Sequence, residues 1–181
     1  MVISPASFAD GIYLGASIGA FYDEMWQYSR FTSKREYGFS YKAYGGYDFN
    51  KYIGLEIGYN NLGPVKFSHD DGSTGNQAVN AYTTSLKITP LQFDAISPFL
   101  KVGASYLTST ETWSDSTPRH TTKSTNIYWA IGAEYKMTQN LFSRLEYENF
   151  GQIGAFNRQD WTTNTAGVKP SSLTLGLGYR F

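Results

Sequence analysis

The chain has two histidines and no cysteine, so acid–base and nucleophilic chemistry have few places to start. His69 precedes Asp70-Asp71-Gly72, and His120 ends the run Thr-Pro-Arg-His. Both fall in stretches with no hydrophobic period and read as loop residues. A catalytic histidine needs a serine or carboxylate held within hydrogen-bond reach by a rigid element, and neither histidine has one by spacing. His69, Asp70 and Asp71 are adjacent loop residues, too few donors to define a cation site. The reading is therefore no catalytic residue, no metal site and no cofactor. A different set of groups does follow a pattern: Lys42, Glu56, Lys87, Lys101, Glu134, Arg144 and Glu146 all stand within alternating segments.

Those segments are strands. In the last stretch, Ser171 to Phe181, Leu173, Leu175, Leu177, Tyr179 and Phe181 share one face, and Thr174, Gly176, Gly178 and Arg180 share the other. A period of two is the signature of a strand. The same alternation marks Gly11 to Phe21, Gly38 to Phe49, Tyr52 to Asn60, Asn80 to Thr89, Ile96 to Thr108, Thr125 to Met137 and Leu141 to Asn149, which makes eight strands. Long unpatterned connections (Asp23 to Tyr37, Asn61 to Val79, Ser109 to Ser124, Phe150 to Pro170) alternate with short ones. All seven mid-strand charges lie on the Gly/Ser/Thr face and none on the Leu/Ile/aromatic face.

Composition fits this pattern. The 181 residues include 12 Phe, 15 Tyr and 4 Trp, types that favour strands, and 18 Gly that permit close approach of neighbouring backbones. Fifteen basic and fifteen acidic residues balance, so no basic footprint for nucleic acid exists. Mean hydropathy is −0.38, yet barrel strands hide a lipid face by alternating it with polar residues. A soluble lipocalin-type barrel shares the strand number and order, with its faces reversed. Two features favour lipid outside. The polar face is glycine-rich, as a narrow crowded interior requires. Phe39, Tyr59, Tyr106 and Tyr147 sit toward the long loops, and Tyr47, Phe49, Tyr135 and Phe181 toward the turns, as two interfacial girdles would. The expected fold is an all-β, transmembrane, eight-stranded antiparallel up-and-down barrel spanning residues 11–181. Residues 1–10 fit no strand and read as an N-terminal arm or the tail of a signal peptide.

Tyr44-Gly-Gly-Tyr-Asp-Phe-Asn-Lys-Tyr-Ile-Gly-Leu-Glu-Ile-Gly-Tyr59, with the following Asn-Asn-Leu-Gly63, resembles a hairpin of the OmpA transmembrane domain. So do Gly132-Ala-Glu-Tyr135, Arg144-Leu-Glu-Tyr147 and the terminal Leu-Gly-Leu-Gly-Tyr-Arg-Phe181. The resemblance implies an integral outer-membrane barrel of Gram-negative bacteria with an interior charge network, in which Glu56 pairs with Arg144 and Lys87 with Glu134. Lys101 and Glu146 match further interior charges of that family. Ser17 departs from it, standing where the best-known members carry lysine. The periplasmic peptidoglycan-binding domain of those members is absent here, which leaves a barrel-only relative or a chain cut at the barrel's end; the terminal aromatic favours a natural stop.

The resemblance further implies a non-enzymatic role in envelope integrity and surface interaction, with a lumen filled by side chains and at most a narrow ion pore. Partners would be the lipid bilayer, lipopolysaccharide, and the barrel-assembly machinery, which would read Tyr179 and Phe181 in the last strand as its signal. The alternative is a small outer-membrane enzyme that adds or removes acyl chains on lipid A, for which only the two histidines offer a starting point. The long loops carry Trp26, Tyr28, Phe31, Phe67, Trp113, Phe156 and Trp161, aromatics suited either to a surface ligand or to packing at the membrane interface. Arg30, Lys34, Arg35, Lys66, Arg119, Lys123, Arg158 and Lys169 lie in the same stretches and suit lipopolysaccharide phosphates.

Overall fold

The computed structural model describes residues 11–25, 37–68, 74–113, 120–157 and 162–181. Its strands are β1 (Gly11–Met25), β2 (Tyr37–Asp48), β3 (Ile53–Ser68), β4 (Thr74–Ile88), β5 (Ile96–Trp113), β6 (His120–Lys136), β7 (Leu141–Asn149), β8 (Ile153–Asn157) and β9 (Thr162–Arg180). Each of β1 to β6 pairs antiparallel with the next, β7 pairs with β9, and β9 closes on β1 from Tyr13↔Arg180 to Met25↔Val168. The result is a closed eight-stave barrel. Short β8 continues the line of β7 along the upper part of β9.

Alternation decides what each face meets. Ile12, Leu14, Ile18, Leu55, Ile57, Leu100, Ile127, Leu145, Leu175 and Leu177 all point outward and are exposed. Their strand neighbours Tyr13, Ser17, Glu56, Lys101, Tyr128, Arg144 and Glu146 are buried inside. The backbone groups of a closed barrel are all paired between strands, so the outer surface can be wholly apolar without leaving unsatisfied donors in lipid. Side chains cap the tight connections. Asn50 Oδ1 accepts the amides of Tyr52 (2.8 Å) and Ile53 (3.0 Å), and Thr138 Oγ1 accepts that of Leu141 (3.0 Å).

The strands run further than their hydrophobic period. The segment expected as a loop from Asn61 to Val79 is largely β3 and β4, paired as far as Ser68↔Thr74, and β5 and β6 pair as far as Glu111↔His120. Phe150 to Pro170, also expected as a loop, holds β8 and the start of β9. About 9–11 residues suffice to cross the bilayer, whereas β9 has 19. Beyond the lipid the ladder needs only backbone hydrogen bonds and tolerates Thr, Ser and Asn on both faces, so alternation fades while the strand continues. His120, Lys66, Phe67, Trp113, Lys123, Phe156 and Lys169 therefore lie in strands and not in loops. Residues 1–10, His69, Asp70, Asp71, Trp26, Tyr28, Phe31, Trp161, Arg30, Lys34, Arg35, Arg119 and Arg158 lie outside the described residues.

Candidate functional site: the charged lumen

Inward-facing positions on seven staves bring ten charged side chains into one connected cluster. Glu56 on β3 is its centre. One carboxylate oxygen accepts from Arg144 Nη1 (2.7 Å) and Tyr13 Oη (2.9 Å), and the other from Lys101 Nζ (2.5 Å), with Lys42 Nζ at 3.7 Å. Toward the long loops, Lys42 Nζ donates to Glu146 (2.9 Å) and Glu148 (2.6 Å), Lys101 pairs with Glu146, and Tyr128 Oη donates to Glu148 (2.5 Å). Toward the short turns, Lys87 pairs with Asp48 (2.8 Å) and Glu134 (3.5 Å), and Arg180 Nη2 with the same two carboxylates at 2.9 and 3.4 Å. Arg144 joins the two groups, because its second amino group, Nη2, donates to Glu134 at 2.6 Å.

The sum is neutral: Lys42, Lys87, Lys101, Arg144 and Arg180 against Asp48, Glu56, Glu134, Glu146 and Glu148. A buried charge is tolerated only when paired and hydrogen-bonded, and each of these ten lies within 4 Å of an opposite charge. Aromatic rings fill the space between. The Arg144 guanidinium sits 4.1 Å from the Tyr44 ring centroid, and Lys87 Nζ 4.4 Å from that of Tyr13. The Tyr44 ring can lie over the adjoining stave because its cross-strand partner, residue 15, is glycine; a Cβ there would come within 2.3 Å of the ring. At the short-turn mouth a cavity of about 10 Å³, lined by Asp48, Lys87, Glu134 and Arg180 among others, has room for one water.

The six charges expected inside, Glu56, Lys87, Lys101, Glu134, Arg144 and Glu146, are brought together, with Arg144 on Glu56 and Lys87 on Glu134. Lys42 stood in the pattern without a partner and proves to be a second cation on Glu146 and Glu148. It lies directly opposite Ser17 across β1 and β2. Asp48, Glu148 and Arg180 were not assigned. Their parity would have found them, but all three stand near strand ends, where a charge on either face can reach water. Tyr179 and Phe181 face outward at the barrel's rim, in edge-to-face contact at 5.2 Å. The side chain of His120 is not described, and among the described residues no group of His, Cys, Asp and Glu is placed to hold a metal ion.

A closed sheet with an apolar outer wall and a neutralised, charged interior defines a membrane-spanning barrel, inverted relative to a soluble protein. The sequence matches the OmpA-like transmembrane domain over residues 7–181, and the chain belongs to that family of outer-membrane barrels. It is 29% identical over 178 residues to outer membrane protein A of Klebsiella aerogenes, covering 93% of this chain and 48% of that protein. It thus spans about half the length of that relative. Among solved structures, Neisserial surface protein A superposes with a TM-score of 0.70 at 14% identity, covering 94% of this chain and 97% of the other. Ail of Yersinia pestis, solved with the heparin analogue sucrose octasulfate, superposes at 0.60 with 16% identity, covering 94% and 99%. At these identities the two structures share the fold alone.

Proposed function

We propose that this barrel is a non-enzymatic structural element of the outer membrane, with a lumen packed shut and long connections that present a binding surface outside the cell. The observation that carries this is the neutral interior, in which each of the ten charges has an opposite charge within 4 Å. Eight staves leave a bore that side chains can fill, and here five cations and five anions fill it with Tyr13, Tyr44, Tyr128 and Phe142 between them. Such a core ties the walls together across the tube, and each of its five carboxylates is held by a cation. Purified protein in a planar bilayer should pass at most rare, small currents; frequent, well-defined openings would sink the packed-lumen reading.

For the outer surface, the basic residues of the long-connection end suit an anionic partner, lipopolysaccharide or a sulfated polysaccharide. That Ail was solved with a sulfated sugar supports the idea by analogy of fold. The orientation behind it is tested with single cysteines. Those at Asp71, Asp115 and Asp160 should react with an impermeant thiol reagent on intact cells, while one at Lys51, in a short turn, should not. The reverse labelling would turn the barrel over. Against the lipid A enzyme reading, His69→Ala and His120→Ala should leave the acyl pattern of an expressing strain unchanged. For Tyr179 and Phe181 as an assembly signal, Phe181→Ser should lower the amount of barrel recovered in the outer membrane; unchanged recovery would remove that role.

A further inference from the structure

The lumen is not uniform along its length. On the long-loop side of the charges lies a contiguous apolar cluster that includes Phe21, Leu62, Val79, Leu107, Phe150 and Ile153, all buried to 1% exposure or less. On the staves that carry both a residue of this cluster and a charge, the cluster residue is further toward the long connections, Leu62 beyond Glu56 on β3, Val79 before Lys87 on β4, Leu107 beyond Lys101 on β5, Phe150 and Ile153 beyond Glu148, whereas the separate buried rings of Phe99 and Phe142 lie on the short-turn side. Phe21 on β1 and Leu107 on β5 belong to opposite sides of the ring, so the cluster crosses the bore.

A bulge completes it. Between Asn149↔Ser171 and Ile153↔Val168, three residues oppose two on β9, which turns both Phe150 and Ile153 inward although they are three apart. Gly151 makes this turn at φ +82°, with a Cβ position only 2.3 Å from Asn126 Cβ. The bulge's own polar groups are satisfied. The Phe150 carbonyl accepts from Ser105 Oγ (2.6 Å), its amide donates to the Pro170 carbonyl (3.1 Å), and the Gly151 amide donates to Asn149 Oδ1 (3.1 Å).

The charges show the complementary gradient. Side chains nearest the short turns keep some exposure, 11% for Asp48 and 8% for Arg180, while Lys42, Glu146 and Glu148 have none. Among the described residues, the network's exposure therefore lies at its short-turn end. We propose that the permeability barrier of this barrel is the apolar layer closed by Phe150 and Ile153, and that the packed charge network beneath it is reached by water from the short-turn end. An ion in the network finds an opposite charge at each step, and such a chain of sites is a path as much as an obstacle. In the apolar layer nothing replaces the hydration shell, and of two barriers in series the higher one sets the flow.

This inference rests on the packed-lumen reading, and the experiment separates the two. In planar bilayers the unmutated protein and Arg144→Ala should both stay closed, while Phe150→Ser combined with Leu107→Ser should raise conductance by at least about tenfold. Conduction by the unmutated protein would overturn the packed lumen itself. A silent unmutated protein with a conducting Arg144→Ala, or a folded but silent seal variant, would overturn the barrier assignment alone. Should the seal variant not fold, single cysteines in this cysteine-free chain read the same property with the seal intact. A small sulfonated thiol reagent should label Ser97→Cys, at the short-turn mouth, at least about tenfold faster than Ser172→Cys beside Glu148. Equal rates would refute the seal.

Discussion

Glu56 and Ile57 are neighbours on β3 and face opposite surroundings. Ile57 is 61% exposed, to lipid, and packs against nothing specific; Glu56 is 2% exposed and accepts hydrogen bonds from Tyr13, Lys101 and Arg144. The outer face asks only for apolarity, which many residues satisfy. The inner face asks for charge, length and direction together, because each buried group must meet its counter-charge. One strand thus carries a tolerant wall and an exacting core, and substitutions should separate the two.

The largest effect is expected inside. Arg144→Ala strands Glu56 and Glu134 without their shared cation and should lower unfolding free energy, read by urea titration in bilayers, by about 3–5 kcal/mol; a loss under about 1 kcal/mol would put the stability elsewhere. Next comes a charge on the wall. Ile57→Arg places a guanidinium in lipid and should cost about 2–4 kcal/mol near the bilayer midplane, and less in a thinner bilayer that brings the site closer to the interface. Gly151→Ala forces a side chain into a left-handed turn against Asn126 and should cost about 1–3 kcal/mol. A neutral result there would mean that the bulge relaxes freely. The smallest effect is Ile57→Leu, within about 0.5 kcal/mol, since no packed neighbour registers the change; a larger loss would show that the wall is specific too.

The same contrast explains what the sequence disclosed. The outer wall is written in parity and apolarity, so the eight lipid-crossing segments and the side on which Glu56, Lys101 and Arg144 lie could be read directly. Pairing partners needed more: Glu56 with Arg144 and Lys87 with Glu134 came from the family resemblance, and Lys42 with Glu148 came from neither source. These contacts join staves that are distant in sequence, and the staggered closure of the barrel decides which inward positions converge. The bulge at Gly151 was illegible for a related reason. Asn149-Phe150-Gly151 looks like the start of a loop, and only the β9 edge beside it keeps the chain extended. The apolar layer is drawn from several strand ends outside the membrane period, where single residues such as Leu62 and Val79 carry no pattern of their own.

The closure of β1 on β9 also bears on how the barrel comes into being. Tyr13↔Arg180 joins the two ends of the described chain, so the final ladder cannot form until the whole polypeptide is available. Contacts of such sequence separation are slow to form, because the loop between them must be ordered first. Until they form, two strand edges remain open, which lipid does not tolerate. The charge cluster draws on staves from β2 round to β9, so its members stay hydrated until the ring shuts and must lose that water late. Closure, desolvation and neutralisation therefore belong to one cooperative step, and a chain halted before its last strand should be caught as an open, hydrated sheet at the membrane surface.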